Sequence, residues 1–153
     1  MKLLLDTNVL TRLCYHGRIE NQVISDWLSD LLRTRGHELI VCIPEIADYE
    51  ARRGLLHVAL QSGRSTTKRL ERLDELSKLL TFLPLTSPTL RTAARLWAES
   101  RHAGRPTAGK ESLDGDVILA AQALEVSGIV VTENVRHLSR LVTTCQWHEV
   151  IPE

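Results

Sequence analysis

Apolar residues along this chain come in short bursts, separated by stretches in which they recur at the spacing of a helix. Residues 2–5 form an apolar run that closes on Asp6-Thr7-Asn8, a polar cluster of the kind that ends a buried strand. A turn or two of helix is expected over 8–15. From 19 to 35 the positions Ile19, Val23, Ile24, Trp27, Leu28, Leu31 and Leu32 share one helical face, with Gly36 as the stop. Residues 38–43 read as a second buried strand. Pro44 then falls where a helix accepts proline, at its first position, and that helix runs through Glu45, Asp48 and Glu50 towards Gly54. A long helix is expected over 66–80, with Leu70, Leu73, Leu76, Leu79 and Leu80 as its apolar face, followed by a third short strand over 81–85.

Ser87-Pro88 predicts a helix opening, serine as cap and proline just inside, for a helix that fades at His102-Ala103-Gly104. Residues 105–112 read as a loop. The strongest helix spans 113–126, with Val117, Ile118, Ala120, Ala121 and Leu124 on its packed side and Gly128 just beyond. Residues 129–132 form another buried strand, 134–141 a short helix and 147–151 a last edge strand. Strands that are apolar on both faces and alternate with helices predict an α/β fold in one domain, a central parallel sheet of four to five strands flanked by helices. No internal repeat and no low-complexity stretch interrupts the pattern.

Composition narrows the picture. Hydrophobic residues make up 43% and charged residues 25%, which excludes a disordered chain. Aromatics are only 4%, so the core must rest on Leu, Ile, Val and Ala. The apolar start stops at Asp6, too soon for a signal peptide or a membrane span, so a cytoplasmic protein with no membrane contact is expected. Cys14, Cys42 and Cys145 are odd in number and widely spaced, which predicts reduced thiols. With 19 basic and 19 acidic residues there is no overall basic surface, and contact with a polyanion must come from local patches.

Ligands of open parallel sheets bind beyond the C-terminal ends of the strands. The polar residues there are Asp6 after the first strand, Glu45, Asp48 and Glu50 after the second, Asp114 and Asp116 opening the late helix, and Glu133 and Asn134 after the next strand. Carboxylates crowded on one rim repel one another and raise each other's pKa, unless a divalent cation neutralises them. An all-oxygen donor set favours Mg²⁺ or Mn²⁺, and such an ion suits attack on a phosphodiester. Each residue alone has a plainer role. Asp6 can cap a helix, the acids after Pro44 can face solvent in a favourable macrodipole, and Asn134 can cap the last helix. Asp114 and Asp116 are two apart and do not share a helical face, and Asp116 is the better ligand because Val117, Ile118 and Ala121 pin the helix beside it.

These residues resemble the motifs of PIN domains, and more narrowly of VapC-type ribonuclease toxins. The resemblance runs nearly end to end. Leu4-Leu5-Asp6-Thr7-Asn8-Val9-Leu10 is similar to the family's opening strand and first metal-binding aspartate. Glu50-Ala51-Arg52-Arg53-Gly54 is similar to its second motif, Asp116-Val117-Ile118-Leu119-Ala120-Ala121 to its third, and Val131-Thr132-Glu133-Asn134 to its fourth. The resemblance implies a three-layer PIN-like fold and a metal site of Asp6, Glu50 and Asp116, with Asp114 as an additional candidate. It also implies cleavage of RNA, a homodimer and an antitoxin partner. The chain departs from the pattern at Asn134, where many members carry an aspartate, and at His137, where an acid is common.

On this reading Asp6, Glu50, Asp116 and Asn134 are the catalytic set, and Thr7 and Asn8 position the scissile phosphate. Arg52, Arg53, Arg105 and Lys110, close in sequence to the acidic motifs, are the expected RNA contacts. Two other readings stand beside it. One is a PIN-like binding module with little or no catalysis, suggested by the departure at Asn134. The other is a phosphatase-like hydrolase with Asp6 as nucleophile, disfavoured because Asn8 occupies the position where such enzymes carry a second acid. Trp27, Trp97 and Trp147 are expected in the core or at a dimer interface.

Overall fold

A computed structural model describes residues 1–104 and 110–152, without the side chains of 110–113. Its five strands are β1 (Lys2–Leu5), β2 (Ile40–Pro44), β3 (Thr81–Leu83), β4 (Ile129–Val131) and β5 (Thr144–Cys145). They form one parallel sheet in the order β3-β2-β1-β4-β5. The helices among the described residues are α1 (Thr7–Cys14), α2 (Ile19–Arg35), α3 (Glu45–Ser62), α4 (Thr67–Leu79), α5 (Ser87–His102), α6 (Lys110–Glu125) and α7 (Val135–Leu138). The expected α/β architecture is what the chain adopts.

The strands carry helices on both faces because their side chains alternate and both alternating sets are apolar. Leu3, Leu5, Val41, Ile43 and Val131 point to one side, where they meet Leu10 and Leu13 of α1, Leu31 of α2 and Leu73 and Leu76 of α4. Leu4, Cys42 and Val130 point to the other, against Leu119, Ala120 and Ala123 of α6 and Leu138 of α7. Each leucine fully removed from water contributes about 1.5–3 kcal/mol, so β1 is the strand about which the core is built. Where α6 ends, the backbone runs so close to β1 that a Cβ on Gly128 would stand 2.3 Å from Leu4 Cδ1. Ser127, with φ 52°, makes the left-handed turn just before it.

The element boundaries depart from expectation in instructive places. Pro44 is the last residue of β2 and the N-cap of α3, with ψ 137°, not the first helical residue. Helix α3 runs through Gly54 and ends at Gly63, which takes the left-handed conformation at φ 64°. Burial of Ala51 and Leu55 on either side carries the helix past the weak helix former. Thr86, not Ser87, caps α5, its Oγ1 accepting from Thr89 N at 3.2 Å. The last strand is 144–145, and Trp147–Glu149 is a 3₁₀ turn. Of the expected loop, 105–109 lie outside the described residues and Lys110 already begins α6.

Trp27 is buried, its Nε1 donating to Val150 O at 2.7 Å, and Trp147 packs edge-on to it at 5.9 Å. Trp97 is 38% exposed and stays outside the core. All three cysteines are free, and burial pushes the Cys14 thiol up to about 12. Among the described residues, no helix is long and apolar enough to cross a membrane.

Candidate metal centre

The chain lays down β1, β2 and β3 in one direction across the sheet, then returns to place β4 and β5 on the other side of β1. The order therefore reverses between β1 and β4, and the crevice beyond their C-terminal ends is where such sheets receive ligands. The register puts Leu5 beside Val131, so the first residue past each strand, Asp6 and Thr132, are neighbours. Asp6 N extends the ladder by one bond, to Val131 O at 3.0 Å.

Asp6 caps α1 and is also the most firmly held acid of the crevice. Its Oδ1 accepts from Thr7 N at 2.7 Å. Its Oδ2 accepts from Thr132 Oγ1 at 2.6 Å and from Asn8 Nδ2 at 3.1 Å. A carboxylate offers about four lone-pair positions, so these bonds leave about one free and fix its direction. Thr132 is fully buried and is the hub of the arrangement, since its Oγ1 also accepts from Asn134 N at 2.9 Å and Asn8 Nδ2 at 3.3 Å.

Of the three acids after Pro44, only Glu50 faces Asp6. Glu45 is engaged by Leu85 N, and Asp48 by Arg52 and Ser77. Glu50 Oε1 accepts from Thr7 Oγ1 at 3.3 Å, and Arg53 Nη2 lies 3.8 Å from Oε2. The Glu50 carboxylate rests against the bare backbone of Gly115 in α6. A Cβ there would stand 2.9 Å from Oε1 and 3.2 Å from Cδ and Oε2. Asp116 follows Gly115 directly and presents the third carboxylate.

The electrostatics report the crowding. Burial first, and then the negative charges of Asp6 and Glu50, push Asp116 up to about 6, with His137 opposing. Glu50 is raised by burial and by Asp6, against Arg53 and the Thr7 hydroxyl. Asp6 is raised by burial and by Glu133, while its hydrogen bonds to Thr132, Thr7 and Asn8 pull the other way. Three carboxylates thus act on one another with too little positive charge to balance them.

The donor chemistry fits a hard divalent cation: carboxylate oxygens, hydroxyls and an amide, without a sulfur ligand. Among the described residues no three His, Cys, Asp or Glu side chains stand close enough to grip one ion as they are. The three acids feel one another across a gap. Glu50, whose hydrogen bond to Thr7 is long, can swing to narrow it; Asp6 cannot.

The other expected site residues fall in different places. Asp114 is exposed, two residues from Asp116 and off its face, beside Leu90 and Trp97 on one flank and Tyr49 and Arg53 on the other. Asn134 is exposed and leaves α7 without a side-chain cap, so its plainer expected role is not what it performs. Glu133 is ion-paired with Arg12. Arg52 bridges Asp48 and Asp74 across α3 and α4 at 3.0 and 2.7 Å, which occupies its guanidinium. Arg53 lies at the acids and over the Tyr49 ring at 5.2 Å. Arg105 and the Lys110 side chain lie outside the described residues. Sequence reasoning passed over Thr132 and Gly115 as site residues, although Thr132 follows a strand and Gly115 separates two aspartates.

A parallel sheet with acids at its switch point defines the class: an α/β protein whose ligand crevice is acidic. The chain belongs to the PIN domain family, whose family model matches residues 3–142. No curated protein sequence matches it. Solved structures share its fold. VapBC2 from Rickettsia felis, bound to a promoter DNA fragment, superposes with a TM-score of 0.72 at 17% identity, covering 96% of this chain and 99% of that one. FitAcB from Neisseria gonorrhoeae gives 0.69 at 22%, covering 97% and 99%. DNA-bound VapBC from Salmonella typhimurium gives 0.66 at 18%, covering 96% and 98%.

Proposed function

We propose that this protein is a Mg²⁺- or Mn²⁺-dependent endoribonuclease, the toxin of a type II toxin–antitoxin pair. The observation that supports the reading is that Glu50, bonded to Thr7 beside Asp6 and seated on Gly115 beside Asp116, brings three acids from distant segments near enough for their charges to act on one another. Family membership and the fold shared with VapBC and FitAcB structures support it.

Asp6, Glu50 and Asp116 would hold the cation. When bound, it supplies activation of water and neutralisation of the charge that builds on a phosphodiester. Thr132, Thr7 and Asn8 aim the one open lone pair of Asp6 into the crevice. Gly115 gives Glu50 the room to stand opposite. Arg53 sets a positive charge beside the acids, where the polyanionic substrate must approach. The proposed partnership with an antitoxin, and a homodimer, has an apolar groove available between α5 and α6, with Leu90 and Trp97 exposed at its rim.

The decisive experiment is RNA cleavage in Mn²⁺ by wild type and Asp6→Asn, each with and without chelator. Wild type should cut only with metal, and the variant should fold, bind no Mn²⁺ and leave RNA intact. Cleavage by Asp6→Asn at the wild-type rate would refute the assignment. A binding module with little catalysis is the second reading. It is favoured by the capture of Glu133 by Arg12, which leaves the crevice without a fourth free acid. Lack of saturable Mn²⁺ binding at millimolar metal would decide for it.

A further inference from the structure

A cleft of about 690 Å³ lies between α1, α2, α3 and α4, lined by Thr11, Tyr15, Arg18, Leu55 and Arg69 among others. It is the size of a small-ligand site. Arg69 lies with its guanidinium 3.8 Å from the Tyr15 ring centroid and Arg18 with its guanidinium at 6.0 Å. An arginine stacked in this way uses its flat face on the ring and keeps its in-plane N–H donors for another partner.

The cations of this cleft differ in what they have left to offer. Arg12 is used up: Nη1 pairs with Glu133, Nη2 donates to Glu20 O at 2.6 Å and Nε to Asn21 Oδ1 at 3.2 Å. Arg18 and Arg69 make no ion pair with a carboxylate among the described residues. Of the two acids in the lining, Glu133 is neutralised by Arg12, and Glu20 is exposed. The cleft therefore presents two open guanidiniums around one aromatic ring.

Its position ties it to the acids. Thr11 sits one helical turn beyond Thr7, donating to Thr7 O at 2.7 Å, and Thr7 in turn bonds Glu50. Glu133 lines the cleft and bears on the charge of Asp6. Tyr15 closes α1 eight residues beyond Thr7, about 12 Å along the helix axis, so a strand with a phosphate at the acids reaches the cleft more than one nucleotide away.

We propose that Arg18 and Arg69, held on Tyr15, form a phosphate subsite for single-stranded RNA, further along the strand from the scissile phosphate. The Tyr15 ring holds the two guanidiniums in place and their free N–H donors meet phosphates, a positively charged groove of the kind that tracks the backbone of a single strand. The inference rests on the nuclease reading for the identity of its ligand, and it assigns the substrate path to α1, α2 and α4.

The test is fluorescence anisotropy of a short labelled RNA of mixed sequence, in chelator so that it stays intact. Arg18→Ala/Arg69→Ala should weaken binding about tenfold or more and flatten the slope of log K against log salt by about 1.4, two phosphates at roughly 0.7 each. Tyr15→Ala should weaken binding, and Tyr15→Phe should restore it, since stacking needs the ring and not the hydroxyl. Arg33→Ala, already paired with Asp30 on α2, should change nothing. Equal affinity for wild type and the double variant, or an equal loss in Arg33→Ala, would overturn the subsite. RNA held through these arginines yet left uncut in Mn²⁺ keeps the subsite and removes the nuclease reading. RNA cut with one KM by wild type and double variant removes the subsite alone.

Discussion

Gly115→Ala separates the stability of the fold from the work of the site, because the two should move in opposite directions. The new Cβ would stand 2.9 Å from Glu50 Oε1, closer than non-bonded atoms tolerate, and the flexible carboxylate is the group that must give way. Replacing a glycine inside α6 with alanine contributes about 0.8–1.0 kcal/mol of helix propensity. Against it stands the Thr7–Glu50 hydrogen bond, long at 3.3 Å and therefore worth about 0.5 kcal/mol, the low end for a neutral donor. The balance favours the variant by about 0.5 kcal/mol, or roughly 1–2 °C in Tm for a chain of this size. Metal binding should suffer instead. Displacing a ligand by disturbing what orients it weakens a site about 10–100-fold. Thermal melting in chelator and Mn²⁺ titration by calorimetry measure the two halves. Unchanged Mn²⁺ affinity beside a raised Tm would refute the role given to Glu50, and a lowered Tm would show that backbone, not the carboxylate, yields.

Three further predictions concern charge and packing. Asp116, raised to about 6 from an ordinary 3.8, holds its proton more tightly folded than unfolded. Its contribution to stability is full below about pH 3.8 and is lost as pH rises through about 6. In chelator, Asp116→Asn should therefore melt higher than wild type near pH 7.5, with the advantage shrinking towards pH 4, and equal melting at pH 7.5 would contradict the crowding. For the same reason, wild-type Mn²⁺ affinity should climb as pH passes about 6, where calorimetry across that range would detect it. Gly128→Ala makes the opposite case to Gly115→Ala. Its Cβ would meet Leu4 Cδ1 at 2.3 Å in a fully buried core that cannot yield. Overpacking of about 1–3 kcal/mol should lower Tm by several degrees, and a melt within one degree of wild type would refute the close approach.

How much of this was legible in the residues depended on the range of the interaction. Apolar runs at 2–5 and 129–131 fix strands by local pattern, and the acids after them could be placed on one rim by topology alone. Which acid after Pro44 turns inward came from the motif resemblance, which favours Glu50; topology alone could not show it, because Glu45 and Asp48 are taken by Leu85 and Arg52, contacts visible only once α3 is packed. Arg52 and Arg53 are neighbours in sequence, yet a helix sends them apart, one to Asp74 on α4 and one to Glu50. Arg18 and Arg69, distant in sequence, meet on one tyrosine. The need for a glycine at 115 is a demand of a carboxylate 65 positions earlier, which no local pattern encodes.

The pairing of β1 with β4 joins Leu5 to Val131. A ribosome has therefore to release more than 130 residues before Asp6 gains its threonine, and Asp116 emerges almost as late. An unfinished chain that has passed β3 presents β1 paired on one edge only, with β2, and Asp6 without Thr132. If the protein is a nuclease, its own synthesis is shielded by topology, with activity arriving only when the slow, long-range closure of the sheet is complete.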